Sequence, residues 1–300
     1  MVAVPEALVP AYLRLTRANR TYITADGARR RVRERALRPA SYGPPARLRP
    51  DIRVEVGERL GRPVYTIGPT KSPARGGLVY LHGGGWVGEI VLQHWQLVAQ
   101  LAAESNVSVS VPIYALVPFG TADDALALTT ALALDAGEQH GRVILAGDSA
   151  GGQIALSAAQ HLRDQHGVTA ALTTLIAPAL DLSWSNPRIP VVQPTDPWLG
   201  TPGGRVLSEH WRGERDIRDP VVSPLFGDMR GLGPLSVFTG SRDVLNPDAH
   251  LLREKVVDAG GEIAFHEEIG QLHNFPLLPT RMGERGRAEM VREIVAALPG

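Results

Sequence analysis

The chain has 300 residues, 44% of them hydrophobic and 21% charged, which is the balance of a globular protein able to bury a sizeable core and leaves no support for long disorder. Basic and acidic residues number 31 each, so no net field draws in nucleic acid or an anionic membrane, and neither is expected as a partner. Cysteine is absent, which removes disulfides, thiolate metal sites and a cysteine nucleophile, and any enzyme here must use oxygen or nitrogen groups.

At the N-terminus, Pro5, Glu6 and Pro10 interrupt the apolar positions and no basic residue precedes them, unlike a secretory leader. No stretch approaches the ~18 consecutive apolar residues of a spanning helix, so no membrane span and a cytoplasmic location are expected. As far as Pro50 the chain carries eleven arginines against Glu6, Asp26 and Glu34. A nucleic-acid arm around Arg29, Arg30 and Arg31 is one reading. The charge balance of the remainder favours another: solvated helices whose inner side carries Leu8, Tyr12, Leu13, Leu15 and Tyr22.

Two short segments flanked by glycine or proline, Ile52–Val56 and Pro63–Ile67, predict a hairpin on a sheet edge. Beyond about residue 75, short runs rich in β-branched residues alternate with longer stretches of helical period, the pattern of an α/β protein with a mostly parallel sheet. The predicted strands are Gly77–Leu81, Val107–Ile113, Arg142–Ala146, Leu172–Ala177, Leu235–Thr239 and Ile263–Glu267. The predicted helices are Gln93–Glu104, Ala122–Glu138, Gln153–Arg163, Pro247–Ala259 and Glu284–Leu298. The rhythm breaks from about Trp184 to Pro220, where Pro187, Pro190, Pro194, Pro197 and Pro202 exclude one long helix. With Trp184, Trp198 and Trp211, this stretch reads as a lid or pocket wall, the alternative being tryptophans that fill a secondary core.

The strongest chemical signal is Gly147-Asp148-Ser149-Ala150-Gly151-Gly152, set between a predicted strand and a predicted helix. A strand that turns sharply into a helix needs small residues at 147 and 151, and it holds the serine on a strained corner at the carboxyl edge of the sheet. Ser149 is the candidate nucleophile, a simple helix cap being the bland alternative. The second signal is His82-Gly83-Gly84-Gly85-Trp86, immediately after Gly77–Leu81. Bare backbone N–H groups of Gly84 and Gly85, with that of Ala150 at the helix start, would cradle a developing oxyanion. A phosphate loop is disfavoured because no lysine follows in the Walker arrangement and the dinucleotide spacing is missing. His82 is expected to orient the loop.

A serine needs a base, and the base an orienting acid. Asp243 follows the strand Leu235–Thr239, and His273 follows Ile263–Glu267, so both fall at the same sheet edge as Ser149. The chain order Ser149, Asp243, His273 is that of an α/β-hydrolase. Asp248 is the rival acid, although a place in the first turn of a helix gives it a dipole-capping role instead. The other histidines show no zinc-type spacing, so neither a metal nor a cofactor is expected.

From Gly77 onward these two motifs resemble the hormone-sensitive-lipase family of esterases, and Tyr114-Ala115-Leu116-Val117-Pro118 is similar to that family's tyrosine-centred segment, with Ala115 and Val117 differing. The resemblance implies an α/β-hydrolase fold, carboxylic-ester hydrolysis, no cofactor, and a helical cap. Residues 1 to about 50 and about 184–220 fit the cap, leaving 51–300 as the catalytic domain that carries the insertion. Two departures stand out: Pro247 replaces an acidic residue four positions after the aspartate, and Asn274 follows the histidine where glycine is frequent. Some members are receptors that lack the histidine, whereas His273 is present here. A small to medium apolar ester is the expected substrate, with Trp86, Trp95, Tyr114, Trp184, Trp198 and Trp211 as wall candidates. Acyl transfer, lactone or amide hydrolysis would use the same residues, non-catalytic ligand binding is the rival from another class, and a homodimer stays open.

Overall fold

Apolar runs long enough to cross a sheet once, separated by amphipathic stretches, build alternating strands and helices. The computed structural model describes residues 3–298, so Met1, Val2, Pro299 and Gly300 of the predicted segments lie outside the described residues. The strands are β1 (Ile52–Arg59), β2 (Arg62–Pro69), β3 (Gly77–Leu81), β4 (Ser108–Pro112), β5 (Val143–Asp148), β6 (Leu172–Ile176), β7 (Leu235–Gly240) and β8 (Ile263–Glu268). They form one sheet in the order β1-β2-β4-β3-β5-β6-β7-β8, antiparallel at β1·β2 and β2·β4 and parallel elsewhere. The predicted edge hairpin is present, and its turn residues Leu60 and Gly61 both have positive φ, 49° and 70°, which suits the right-handed twist of the flanking strands.

The helices are α1 (Leu8–Leu15), α2 (Ala25–Leu37), α3 (Leu92–Ser105), α4 (Ala122–His140), α5 (Ala150–His166), α6 (Ile189–Val192), α7 (Thr201–Trp211), α8 (Asn246–Asp258) and α9 (Arg281–Ala297). Thr24 and Thr280 start α2 and α9 by accepting from the N–H three residues on. Alternate residues of β3 face opposite ways: Leu78 and Tyr80 pack with Leu97, Leu101, Met290 and Ile294 of α3 and α9, and Val79 and Leu81 with side chains of α4, α5 and α8. The sheet is thus covered on both faces, the arrangement a parallel sheet needs. Among the described residues no helix is long and apolar enough to cross a membrane.

Two expectations are corrected. Helix α5 begins at Ala150, not Gln153, and β5 runs to Asp148. The glycines of the first helical turn are required by contact: a Cβ at Gly151 would lie 1.9 Å from the Leu81 carbonyl oxygen, and one at Gly152 would lie 2.8 Å from Pro178. In α1 the inward residues are Val9 and Leu13, whereas Leu8, Tyr12 and Leu15 are 56%, 65% and 85% exposed. The reason is that α1 touches the body along one narrow stripe, against Leu272.

Between β6 and β7 the proline-rich stretch folds into α6, α7 and connecting turns. Helix α2 packs along α7, and Gly203 donates its N–H to the Tyr22 carbonyl at 2.9 Å, so the N-terminal helices and the insertion form one layer. A buried ion pair from Arg35 of α2 to Glu89 fastens that layer to the segment after the glycine loop.

Candidate active site

The β5–α5 turn is as tight as its composition implies. Ser149 has φ 54° and ψ −117°, a conformation that costs energy for any residue with a side chain, and its N–H is held by the Ile176 carbonyl at 2.7 Å. A Cβ at Gly147 would lie 2.3 Å from the Gly151 oxygen, so strand and helix meet there backbone to backbone. The Ser149 hydroxyl makes no hydrogen bond among the described residues and lines a narrow cavity.

Gly84 and Gly85 have φ of 121° and 60°, which is ordinary for glycine and strained for other residues. Among the described residues, the N–H groups of Gly84, Gly85 and Ala150 meet no acceptor. Gly85 and Ala150 line the same cavity as Ser149, and Gly84 is next to Gly85 in the chain without lining it. Unpaired donors gathered beside one hydroxyl are what an anion forming on that hydroxyl's partner would use. His82, fully buried, sends Nδ1 to the Gly83 carbonyl at 2.7 Å and stacks on Tyr114, whose hydroxyl donates to the His82 carbonyl at 2.7 Å. A carbonyl only accepts, so Nδ1 carries the proton. Burial, with His94 alongside, pulls the His82 pKa down to about 4, so the ring is neutral near pH 7 and shapes the loop without adding charge.

His273 Nδ1 lies 2.7 Å from Asp243 Oδ2, with both side chains almost fully buried. Asp243 Oδ1 accepts from the Leu245 N–H at 2.9 Å, which fixes the carboxylate plane. With Nδ1 committed to the aspartate, Nε2 is left as the proton acceptor. Burial disfavours the imidazolium, but the charge and hydrogen bond of Asp243, with Asp196 and Asp148 behind, outweigh it and raise the pKa above 6.5. The rival Asp248 accepts from Asn186 Nδ2 at 2.7 Å and makes no hydrogen bond to a histidine, so the structure places it apart from the pair.

Asp148 joins the three loops. Its Oδ1 accepts from Tyr80 Oη at 2.7 Å and the Gly83 N–H at 2.9 Å, while Oδ2 accepts from Asn274 Nδ2 at 2.7 Å and faces His94 Nε2 at 3.2 Å. Burial works against this carboxylate, yet His94, Tyr80 and Gly83 hold its pKa below the ordinary value. The glycine loop, the residue before Ser149 and the residue after His273 are therefore anchored on one buried charge.

The cavity is about 30 Å³, lined by Tyr22, Trp86, Trp184, Leu199 and Leu207 beside Ser149. Of the wall candidates, Trp86 and Trp184 line it. Trp198 instead sets its ring edge-on to His273, centroids 5.6 Å apart. Tyr114, Trp95 and Trp211 are corrected to core positions. The Trp211 indole N–H is committed to Gln153 Oε1 at 2.8 Å, the Tyr114 hydroxyl to His82, and Trp95 packs edge-on against Tyr65 of the hairpin. A buried indole N–H usually finds an acceptor, and Gln153 supplies one to Trp86 as well, at 3.2 Å, whereas that of Trp95 meets none among the described residues. Sequence reasoning missed Gln153, Asn274 as a tether, Asp196 and the wall role of Tyr22. It also missed His266, Glu289 and Glu293, gathered where α9 meets β8; there Glu293 is bonded to Ser236 and His266, and Glu289 is paired with Arg292.

Comparisons with known proteins bear on the family and the fold. Residues 78–277 match the family described as alpha/beta hydrolase fold, and the chain belongs to that family. An acetyl-hydrolase of Streptomyces hygroscopicus is 33% identical over 254 residues, 78% of this chain and 84% of the relative. A triacylglycerol lipase of Mycobacterium tuberculosis is 32% identical over 205 residues, 67% of this chain but only 42% of that longer protein. A hormone-sensitive lipase from a metagenome library superposes over 100% of both chains with a TM-score of 0.83 at 20% identity, which establishes a shared fold. The resemblance carried by the two glycine-rich motifs therefore holds.

Proposed function

We propose that the protein is a serine carboxylesterase that hydrolyses small apolar esters through an acyl-enzyme. The observation that carries this reading is the Asp243-held imidazole of His273, whose loop is tethered by Asn274 to the residue before Ser149. The substrate carbonyl enters the cavity with its oxygen toward the N–H groups of Gly84, Gly85 and Ala150. His273 Nε2 takes the Ser149 proton as the oxygen attacks, and negative charge develops on the carbonyl oxygen among those donors, each worth roughly 3 kcal/mol in such a site. His273 returns the proton to the leaving alcohol oxygen, giving the acyl-serine, and water repeats the sequence in reverse roles.

The layer formed by α1, α2 and the 184–220 insertion acts as the cap, contributing Tyr22, Trp184, Leu199 and Leu207 to the wall. Substrate pockets usually hold about 300–1,000 Å³. A cavity of about 30 Å³ favours acetyl-sized groups unless the cap moves, which accords with the relative named an acetyl-hydrolase. Rapid mixing with excess p-nitrophenyl acetate tests the reading. A burst of p-nitrophenol stoichiometric with protein, lost in Ser149→Ala, is expected, and equal turnover by that variant overturns it.

A further inference from the structure

Asp196 belongs to the insertion, yet its carboxylate serves two elements at once. Oδ1 accepts from the N–H groups of Trp198 and Leu199 at 2.8 and 3.0 Å, closing the turn that leads into the cavity wall. Oδ2 crosses to the catalytic body and accepts from the Val244 N–H at 2.9 Å, one residue past Asp243. On the other side of Asp243, Arg242 Nε donates to the Thr195 carbonyl at 3.2 Å. Both neighbours of the orienting acid are thus bound to consecutive residues of the insertion. The same turn presents the Trp198 ring to His273 and places Leu199 and Gly200 in the wall.

We propose that Asp196 is a positioning residue that latches the cap onto the loop carrying Asp243 and adds a second negative charge facing His273. This rests on the esterase reading and names a control point for that same site. Its two oxygens do different work: Oδ1 shapes the wall and Oδ2 holds the acid loop. Three backbone donors satisfy the carboxylate, so what remains is its charge, felt by Asp243 and His273, while the Arg242 guanidinium is bonded to the carbonyl of Thr195 in the same turn. Burial and the like charge of Asp243 push the Asp196 pKa up to about 6, so the latch takes a proton at mildly acidic pH. A protonated oxygen accepts poorly, and the Val244 contact weakens as it forms.

The test compares the full chain with Asp196→Asn and Ser149→Ala, using the pH profile of kcat/KM on p-nitrophenyl acetate. A negative charge facing an imidazole favours its protonated form, so removing the charge lowers the His273 pKa. The acid limb of Asp196→Asn is expected to move down by roughly half a pH unit. KM is expected to rise about threefold to tenfold, more than kcat falls, because the wall loses its anchor. A folded Asp196→Asn whose limb and KM match wild type overturns the latch, with esterase activity and its dependence on Ser149 intact. The second measurement needs neither the variant nor turnover: hydrogen exchange at the Val244 amide of the wild-type chain. Protection at pH 8 that falls about tenfold at pH 5, after correction for intrinsic rates, supports the latch. An amide unprotected at pH 8, or equally protected at both, overturns it even if Asp196→Asn does not fold or Ser149→Ala remains active.

Discussion

Asn274 donates its Nδ2 hydrogen to Asp148 Oδ2 at 2.7 Å, tying the residue after the candidate base to the residue before the candidate nucleophile. Asn274 has φ 54° and ψ 35°, in the left-handed region, which explains why glycine suits this position and why asparagine, tolerant of that region, replaces it here. Asn274→Gly keeps the backbone and deletes only the tether. A hydrogen bond to a charged group contributes about 1.5–3 kcal/mol, so kcat/KM on p-nitrophenyl acetate is expected to fall at least about tenfold with the fold retained. An unchanged kcat/KM would show that the loops hold their register without it.

The base must be neutral to accept the Ser149 proton. Because Asp243, against the pull of burial, raises the His273 pKa above 6.5, the imidazole keeps its proton to higher pH than a free histidine. Activity is therefore expected to climb with pH along an acid limb whose midpoint lies above 6.5. Asp243→Asn removes the orienting charge and is expected to lower kcat roughly 10³- to 10⁴-fold. A limb centred well below the value for free histidine would contradict the role given to Asp243.

Asp248 offers a test on stability. Burial first, then Asp181, pushes its pKa from 3.8 up to about 7, with Asn186 opposing. A folded-state value above the unfolded one means that the stabilisation is complete below 3.8 and is lost as pH rises through about 7. At pH 8 the fold then carries a buried carboxylate at a cost on the order of 4 kcal/mol. Asp248→Asn keeps an oxygen for Asn186 and drops the charge. Its melting temperature is expected to exceed wild type at pH 8 and by a clearly smaller margin at pH 5; the same difference at both would refute the assignment.

Acyl length should follow the wall. Trp184 donates its indole N–H to Ser208 Oγ at 3.1 Å and rests against Gly204, where a Cβ would lie 2.2 Å from the ring. Trp184→Leu opens the cavity beside Ser149. The ratio of kcat/KM for p-nitrophenyl hexanoate over acetate is expected to rise about tenfold, and an unchanged ratio would place the acyl group elsewhere.

The parallel sheet and the glycine-rich turns were legible because their signals are local: β5, Ser149 and the following helix lie within one short stretch, and Asp243 and His273 each follow a strand. The failures are equally physical. The start of α5 at Ala150 rather than Gln153 is not legible from composition, because what makes Gly151 and Gly152 fit a helix is their close approach to Leu81 and Pro178. Trp211 could not be told from a wall residue without Gln153, 58 positions away, which buries its N–H. Asp196 lies among prolines with no periodicity, and its contact with Val244 spans 48 residues. Leu13 faces inward as expected, but the choice of Val9 over Leu8, Tyr12 and Leu15 in α1 depends on the angle at which the helix meets the body.

The central claim is that Ser149 is the nucleophile and His273 its base. Its most direct test is the intact mass of the protein after brief exposure to a fluorophosphonate, followed by peptide mapping. One adduct per chain, on the peptide holding Ser149, formed orders of magnitude more slowly in His273→Ala and absent in Ser149→Ala, is expected. An adduct on another residue, or labelling as fast without His273, would contradict the account.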